Sequence, residues 1–378
     1  SIEISSTELA NDQNYNSAAY TGLAAIYMTY QPTTESCNEA RSIFRKVKLQ
    51  TIKSLGSSHG FIGELDMYLG QCDLVLYGLT HNSEYLKSAR KYMESGKDII
   101  ADFYKDQVNT SLIGAHMWLA NAMSYTGEVY PAINNYNKAL DYSKQLYGED
   151  NINTVNPIIS LGNAYAYLGQ TDKALEYYGK AIDIIEASED KNEMMLMSVM
   201  RLKANTYELK EEYESAMSSL MECIGMLESH GEGYLQAILD CQMQLTRVCA
   251  RIGDSEKVKE HILKMLDEMA QTNSMTPMQI FNMGYLCGNL LLQQVGDLDK
   301  AEECLLMAEA EIPNIEDLLD NNEYQIYYSL AKTYEFKEDR TRYKEYLKKA
   351  YKTARKCSNI QKEQLDFIKE ELQNLFAK

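Results

Sequence analysis

Four segments of this chain carry one pattern at one fixed spacing. Ala132, Ala174, Ala216 and Val258 fall 42 residues apart, and a matching set of apolar residues surrounds each. In the clearest copy, Val155–Ser188, Leu161-Gly162 and Tyr165 share one face of a first helix, while Tyr178 and Ala181 follow Ala174 at i+4 and i+7 on a second. Gly162 and Ala174 are small enough to let the two backbones approach closely. Gly169 tolerates a positive φ and so ends the first helix, and Gln170-Thr171-Asp172 offers polar caps to the next. Each copy is therefore a helical hairpin with one apolar face it cannot bury by itself. Such hairpins must stack on neighbours.

The register extends in both directions. Leu119-Ala120 with Ala132, Tyr136 and Ala139 precedes the clearest copy; Tyr207 with Ala216, Leu220 and Cys223 follows it, then Leu245 with Val258, Ile262 and Met265. Gly288 with Ala301, Leu305 and Ala308 comes next, one residue longer in the loop before Gly296, and Leu330-Ala331, Tyr334, Leu347 and Ala350 close the series. Toward the N-terminus the pattern weakens. Leu76-Tyr77 with Ala89 and Met93 marks a hairpin whose glycines (Gly60, Gly63, Gly70, Gly78) blur its helix ends, and Leu23-Ala24 and Tyr27 with Ala40, Phe44 and Val47 mark one with a longer turn.

On these residues the chain resembles the tetratricopeptide repeat. That repeat spans about 34 residues, so a step of 42 adds roughly two helical turns or a loop. One such insert, Tyr147–Thr154, is similar to the Gly-acid-rich connector of kinesin light chains, which share the longer period. The fold class expected is all-α, a right-handed superhelical solenoid of about eight hairpins near 17–54, 61–104, 113–146, 155–188, 197–230, 239–272, 281–315 and 324–357. Residues 1–14 are polar and expected to fray, 15–357 form the solenoid, and 358–378 form a capping helix whose stripe is Leu365, Ile368, Leu372, Leu375 and Phe376.

Composition narrows the function. No Pro/Gly-rich linker divides the 378 residues, so one solenoid is expected, and no apolar run is long enough for a membrane span. No N-terminal stretch has the layout of a signal peptide, although a start at Ser1 rather than Met is consistent with a piece of something larger. A net charge of −18 disfavours nucleic acid and anionic membranes as partners. The eight cysteines form no CxxC pair and several fall on core-facing positions, as in reduced cytoplasmic proteins. The five histidines are isolated, and neither a P-loop nor GxGxxG is present, so no metal, cofactor or catalytic residue is expected. A Cys-His pair assembled across helices is the enzymatic alternative, with buried structural cysteine the better default.

The sharpest candidate site is a ladder of amides. Asn121, Asn163 and Asn205 stand 42 apart, Asn289 lies 84 further on, and Arg247 fills the skipped rung. Asparagine is a mediocre helix former, so its recurrence needs a reason. By the tetratricopeptide resemblance, first helices line the concave face and these side chains point into the groove. There the amides would pair with the backbone of an extended peptide, as in the Asn-lined cargo groove of kinesin light chains. The competing reading is that the rungs bond a neighbouring helix. Arg201 and Arg251, one turn from the ladder, would join Arg247 in a positive patch for a carboxylate or phosphate, and Met117, Tyr125, Tyr167 and Met243 would supply apolar walls. A second basic stripe, Lys344, Lys348, Lys352, Arg355 and Lys356, reads as a solvated outer face.

The expected function is a non-enzymatic scaffold or sensor holding a protein or peptide segment in that groove. Two alternatives are a Rap-type peptide-receptor regulator and the regulatory arm of a caspase-like protease. Rap proteins carry an N-terminal helical bundle, whereas the hairpins here are expected from residue 17.

Overall fold

The computed structural model describes residues 33–377 apart from 106, 190–191, 230–233, 272–274, 316–319 and 358–359. Among the described residues there are sixteen α-helices and no strand. The first helix expected of the 17–54 hairpin lies outside the described residues, as do its markers Leu23, Ala24 and Tyr27. Contacts divide the chain into two units, Ser1–Leu202 and Lys203–Lys378.

The first unit contains α1 (Thr34–Leu55), α2 (Gly60–Thr80), α3 (Ser83–Tyr104), α4 (Thr110–Tyr125), α5 (Val129–Tyr147), α6 (Val155–Tyr167), α7 (Thr171–Ala187) and the start of α8 (Glu193–Leu209). Helices pair in sequence as α2–α3, α4–α5 and α6–α7, and each hairpin packs on the next through α3–α4 and α5–α6. Three of the four glycines that blur α2 in the sequence, Gly60, Gly63 and Gly70, are close approaches: a Cβ on Gly63 would stand 2.5 Å from the Gly96 carbonyl, and one on Gly70 would stand 2.7 Å from Met93. In the α6–α7 hairpin a Cβ on Gly162 would meet the Tyr178 ring at 2.6 Å, so Gly162 makes the space this fully buried tyrosine fills. The Tyr147–Thr154 insert is a turn after Gly148 (φ 100°) and a short 3-10 helix, Ile152–Thr154, whose buried Thr154 hydroxyl donates to the Asn151 carbonyl at 2.7 Å.

The second unit holds the rest of α8, then α9 (Tyr213–Ser229), α10 (Leu235–Ile252), α11 (Ser255–Ala270), α12 (Pro277–Leu290), α13 (Leu298–Glu311), α14 (Asp320–Phe336), α15 (Arg340–Ala354) and α16 (Lys362–Ala377). The residue expected as a longer loop before Gly296 is instead absorbed in a π turn, Leu291–Val295, that widens the end of α12. Leu291 and Leu292 stay buried because the insertion sits inside the helix. On α16, Ile368 is buried and Leu365, Leu372 and Leu375 are partly buried against the α14–α15 core. Tyr328, Tyr343 and Lys332 all bond Glu371 of this helix, which ties it down by polar contacts as well.

Candidate functional site

The site is built from the first helices of three successive hairpins, α2, α4 and α6. His59 caps α2, its Nδ1 accepting from the Phe61 amide at 3.2 Å, and Asn109 caps α4 by accepting from the Leu112 amide at 3.0 Å. Gly169 at φ 71° turns α6 into α7. These punctuation residues set the helices side by side. Between α4, α5 and α6 lies a cavity of about 400 Å3 lined by Asn121, Ser124, Tyr125, Val129, Tyr136, Ser160, Asn163, Ala164 and Tyr167. Between α2 and α4 lies a second, of about 750 Å3, lined by Gln71, Leu74, Val75, Tyr77, Gly78, Leu79, His81, Asn121 and Tyr125. Asn121 and Tyr125 belong to both, so the two form one groove. Tyr125 and Tyr167 project into it with 66% and 75% of their surface exposed, large values for aromatic side chains.

Hydrogen bonds fix the amides. The Tyr136 hydroxyl donates to Asn121 Oδ1 at 2.7 Å, and the Tyr178 hydroxyl to Asn163 Oδ1 at 2.6 Å. Burial pushes the Tyr136 phenol up from its ordinary pKa, against a lowering bond from Ser124, so it stays protonated and able to donate. The sequence presents each asparagine as both donor and acceptor; here its oxygen already has a protein partner. The amide nitrogens of Asn121 and Asn163 donate to no protein atom among the described residues. What these two amides offer the groove is therefore their N–H donors.

Four of the expected site residues, Asn121, Tyr125, Asn163 and Tyr167, thus meet around one cavity. Met117 is on α4, partly buried and outside the lining. Arg201 belongs to the first unit, where it is partly buried and engaged. Asn205, Met243, Arg247, Arg251 and Asn289 belong to the second. There Gln244 donates to Asn205 Oδ1 at 2.6 Å, Arg247 reaches Glu208 at 3.4 Å, and Arg251 is exposed. Asn289 is satisfied on both sides: its Nδ2 donates to the Tyr285 carbonyl at 2.9 Å and its Oδ1 accepts from Ser329 at 2.8 Å. In the basic stripe of α15, Lys344 and Lys348 have partners, and the Arg355 guanidinium lies 5.8 Å from the Tyr351 ring.

Sequence reasoning missed the α2 wall. Its signal was the i, i+3, i+4, i+7 face of Gln71, Leu74, Val75 and Gly78. The tyrosines 15 positions after the first two rungs, Tyr136 and Tyr178, are legible as packing residues of the second helix but not as partners of the asparagines. All eight cysteines are buried thiols outside any disulfide, and no group of three metal-ligating side chains occurs among the described residues. No described helix is long and apolar enough to cross a membrane.

Hairpins of two short helices, stacked in register with small residues at their contacts, define a helical-repeat scaffold. Residues 111–187 and 159–229 match one profile of the tetratricopeptide repeat and 324–357 match a second, so these segments are tetratricopeptide repeats. Among solved structures it is similar to the apo form of the quorum sensor NprR from B. thuringiensis (15% identity, 93% of this chain and 91% of that one, TM-score 0.56). It is similar also to a Rap protein complexed with competence and sporulation factor (15%, 99% and 92%, TM-score 0.54) and to BtubC from P. vanneervenii (15%, 65% and 92%, TM-score 0.51). At such identities these likenesses show the fold. No curated protein matches the sequence.

Proposed function

We propose that the groove across α2, α4 and α6 binds an extended peptide or protein segment, and that the chain is a non-enzymatic scaffold or sensor. The observation that carries this reading is the pair of half-used amides. Asn121 and Asn163 are held by Tyr136 and Tyr178 with their N–H donors unpaired among the described residues, at the rim of a cavity flanked by two exposed tyrosines. Donors fixed one repeat apart suit the carbonyl oxygens of an extended backbone, and exposed aromatic walls suit its side chains. The Rap-type alternative draws support from the fold shared with the Rap protein that was solved with competence and sporulation factor and with the quorum sensor NprR. In that reading the ligand is a short signalling peptide that alters the protein's grip on a partner.

The test is binding to immobilised synthetic peptide libraries by wild type and by an Asn121→Ala/Asn163→Ala variant, both first verified as folded by circular dichroism. Peptides retained by wild type and lost by the variant support the reading. Peptides bound equally by both would remove the groove from consideration.

A further inference from the structure

We propose that this groove selects an uncharged segment, and that a bulky apolar side chain of that segment enters the cavity between α2 and α4. The inference rests on the peptide-binding reading above and adds the chemistry of the ligand. The chain carries 55 acidic and 37 basic residues, yet no Asp, Glu, Lys or Arg is found among the described residues lining either cavity. Two of the three helices that build the groove have none anywhere: α4 reads TSLIGAHMWLANAMSY and α6 reads VNPIISLGNAYAY.

The third helix keeps its charges off the groove. On α2, Asp66 and Asp73 are fully buried, the first paired with Lys48 and the second with Arg41 at 2.7 Å, both partners coming from α1. Glu64 accepts from the Ser111 hydroxyl at 2.5 Å. A carboxylate or ammonium entering the groove would lose water and find no opposite charge in its walls, which disfavours charged ligand groups. The α2–α4 cavity is walled by Leu74, Val75, Tyr77 and Leu79, and the amides of Gln71 and Asn121 in its lining suit a peptide backbone.

Gly78 is an exposed residue in the wall of this pocket. A Cβ built on it meets nothing within 4 Å, although it sits in the last turns of a helix where glycine is a poor choice. The empty space beside it belongs to the cavity. Filling it therefore blocks the pocket without crowding the fold.

The experiment compares two immobilised peptide libraries. One is built from uncharged residues with Leu, Ile or Phe at its centre; the other is rich in Asp, Glu, Lys and Arg. Wild type, Gly78→Leu and the Asn121→Ala/Asn163→Ala variant are tested at low and high salt. The expected result is capture by the neutral library with little salt dependence, and affinity about tenfold weaker in Gly78→Leu, as loss of one buried apolar anchor implies. The melting temperature of Gly78→Leu should be at or above that of wild type. If peptides dependent on Asn121 and Asn163 are charged, or bind much less at high salt, the inference is overturned and the groove reading stands. Neutral peptides that bind Gly78→Leu as well as wild type overturn the α2–α4 pocket. If no captured peptide depends on the two asparagines, the groove reading fails and this inference with it.

Discussion

Asn163 in the first unit and Asn289 in the second occupy the same rung of the repeat and do different things. Asn163 is exposed, its oxygen held by the tyrosine of its own hairpin, and its nitrogen has no protein partner among the described residues. Asn289 is partly buried and bonded twice, once to the carbonyl four residues back and once to Ser329 on the first helix of the next repeat. One residue type at one register position is thus open to a ligand in one unit and a tie between repeats in the other. The neighbours decide which. Where the following first helix offers Gln244 or Ser329, the amide is drawn across the repeat; where the second helix offers Tyr136 or Tyr178, the amide is braced from behind and its donors face the groove.

Variants can break or sharpen this contrast, beginning with the largest effect. Gly63→Ala forces a methyl group against the Gly96 carbonyl and Ile100, and removes the seat of α2 on α3. A loss of about 3 kcal/mol in denaturant unfolding is expected, because backbone cannot move aside as a flexible side chain can. Ser329→Ala deprives Asn289 of its cross-repeat donor in a largely buried place and should cost about 1.5 kcal/mol, whereas Tyr178→Phe, whose partner is open to water, should cost about 0.5 kcal/mol. Equal costs in thermal unfolding would erase the distinction between tie and brace.

A smaller effect concerns the hairpin turns. Gly127, Gly169, Gly253 and Gly296 take the left-handed position between the two helices of a hairpin, but Glu211 (φ 62°) and Glu338 (φ 58°) hold it in two hairpins of the second unit. Glu211→Gly should stabilise by about 0.5 kcal/mol and Gly169→Ala should destabilise by about 1 kcal/mol, both read by denaturant titration. The last effect depends on pH. His116, on α4, is buried beside Asn135, Tyr142, Lys138 and Lys97, and burial lowers its pKa from the ordinary 6.5, Lys138 and Lys97 adding to the lowering and the bond to Asn135 opposing it. Asn135 donates to the Pro131 carbonyl at 3.0 Å and turns its oxygen to His116, so Nδ1 carries the proton of a neutral imidazole. A depressed folded-state pKa gives stability that is present above the unfolded value and lost as pH falls through the folded one. Wild type should therefore lose stability below about pH 6.5, and His116→Gln should lose less in parallel melting curves.

Much of the fold was legible because it rests on periodicity. The 42-residue step, the Leu-Gly pair at 161–162 and Tyr178 at i+4 from Ala174 describe a close approach that the structure bears out, since a Cβ on Gly162 would stand 2.6 Å from the Tyr178 ring. The extra residue before Gly296 was legible as a count but not as a place, since a loop and a π turn absorb one residue equally well. Within the site, the ladder located Asn121 and Asn163 and their flanking tyrosines. It did not separate them from Asn205 and Asn289, because the partner that fixes each amide comes from another helix, 15 residues on in one case and about 40 in the other. The α2 wall escaped notice because its glycines resemble helix breakers. The role of Gly60, Gly63 and Gly70 as points of close approach becomes visible only once α3 is packed against them, whereas Gly78 opens onto the cavity.

The most direct test sets Asn163→Ala beside Asn289→Ala and measures melting temperature and neutral-peptide affinity on both. Asn163→Ala should lose affinity by about tenfold with little change in melting, since only a ligand uses its free donors. Asn289→Ala should melt earlier and bind as wild type does. If instead Asn163→Ala melts as early as Asn289→Ala and keeps its peptide, the two rungs do the same structural work and the groove is not the binding surface.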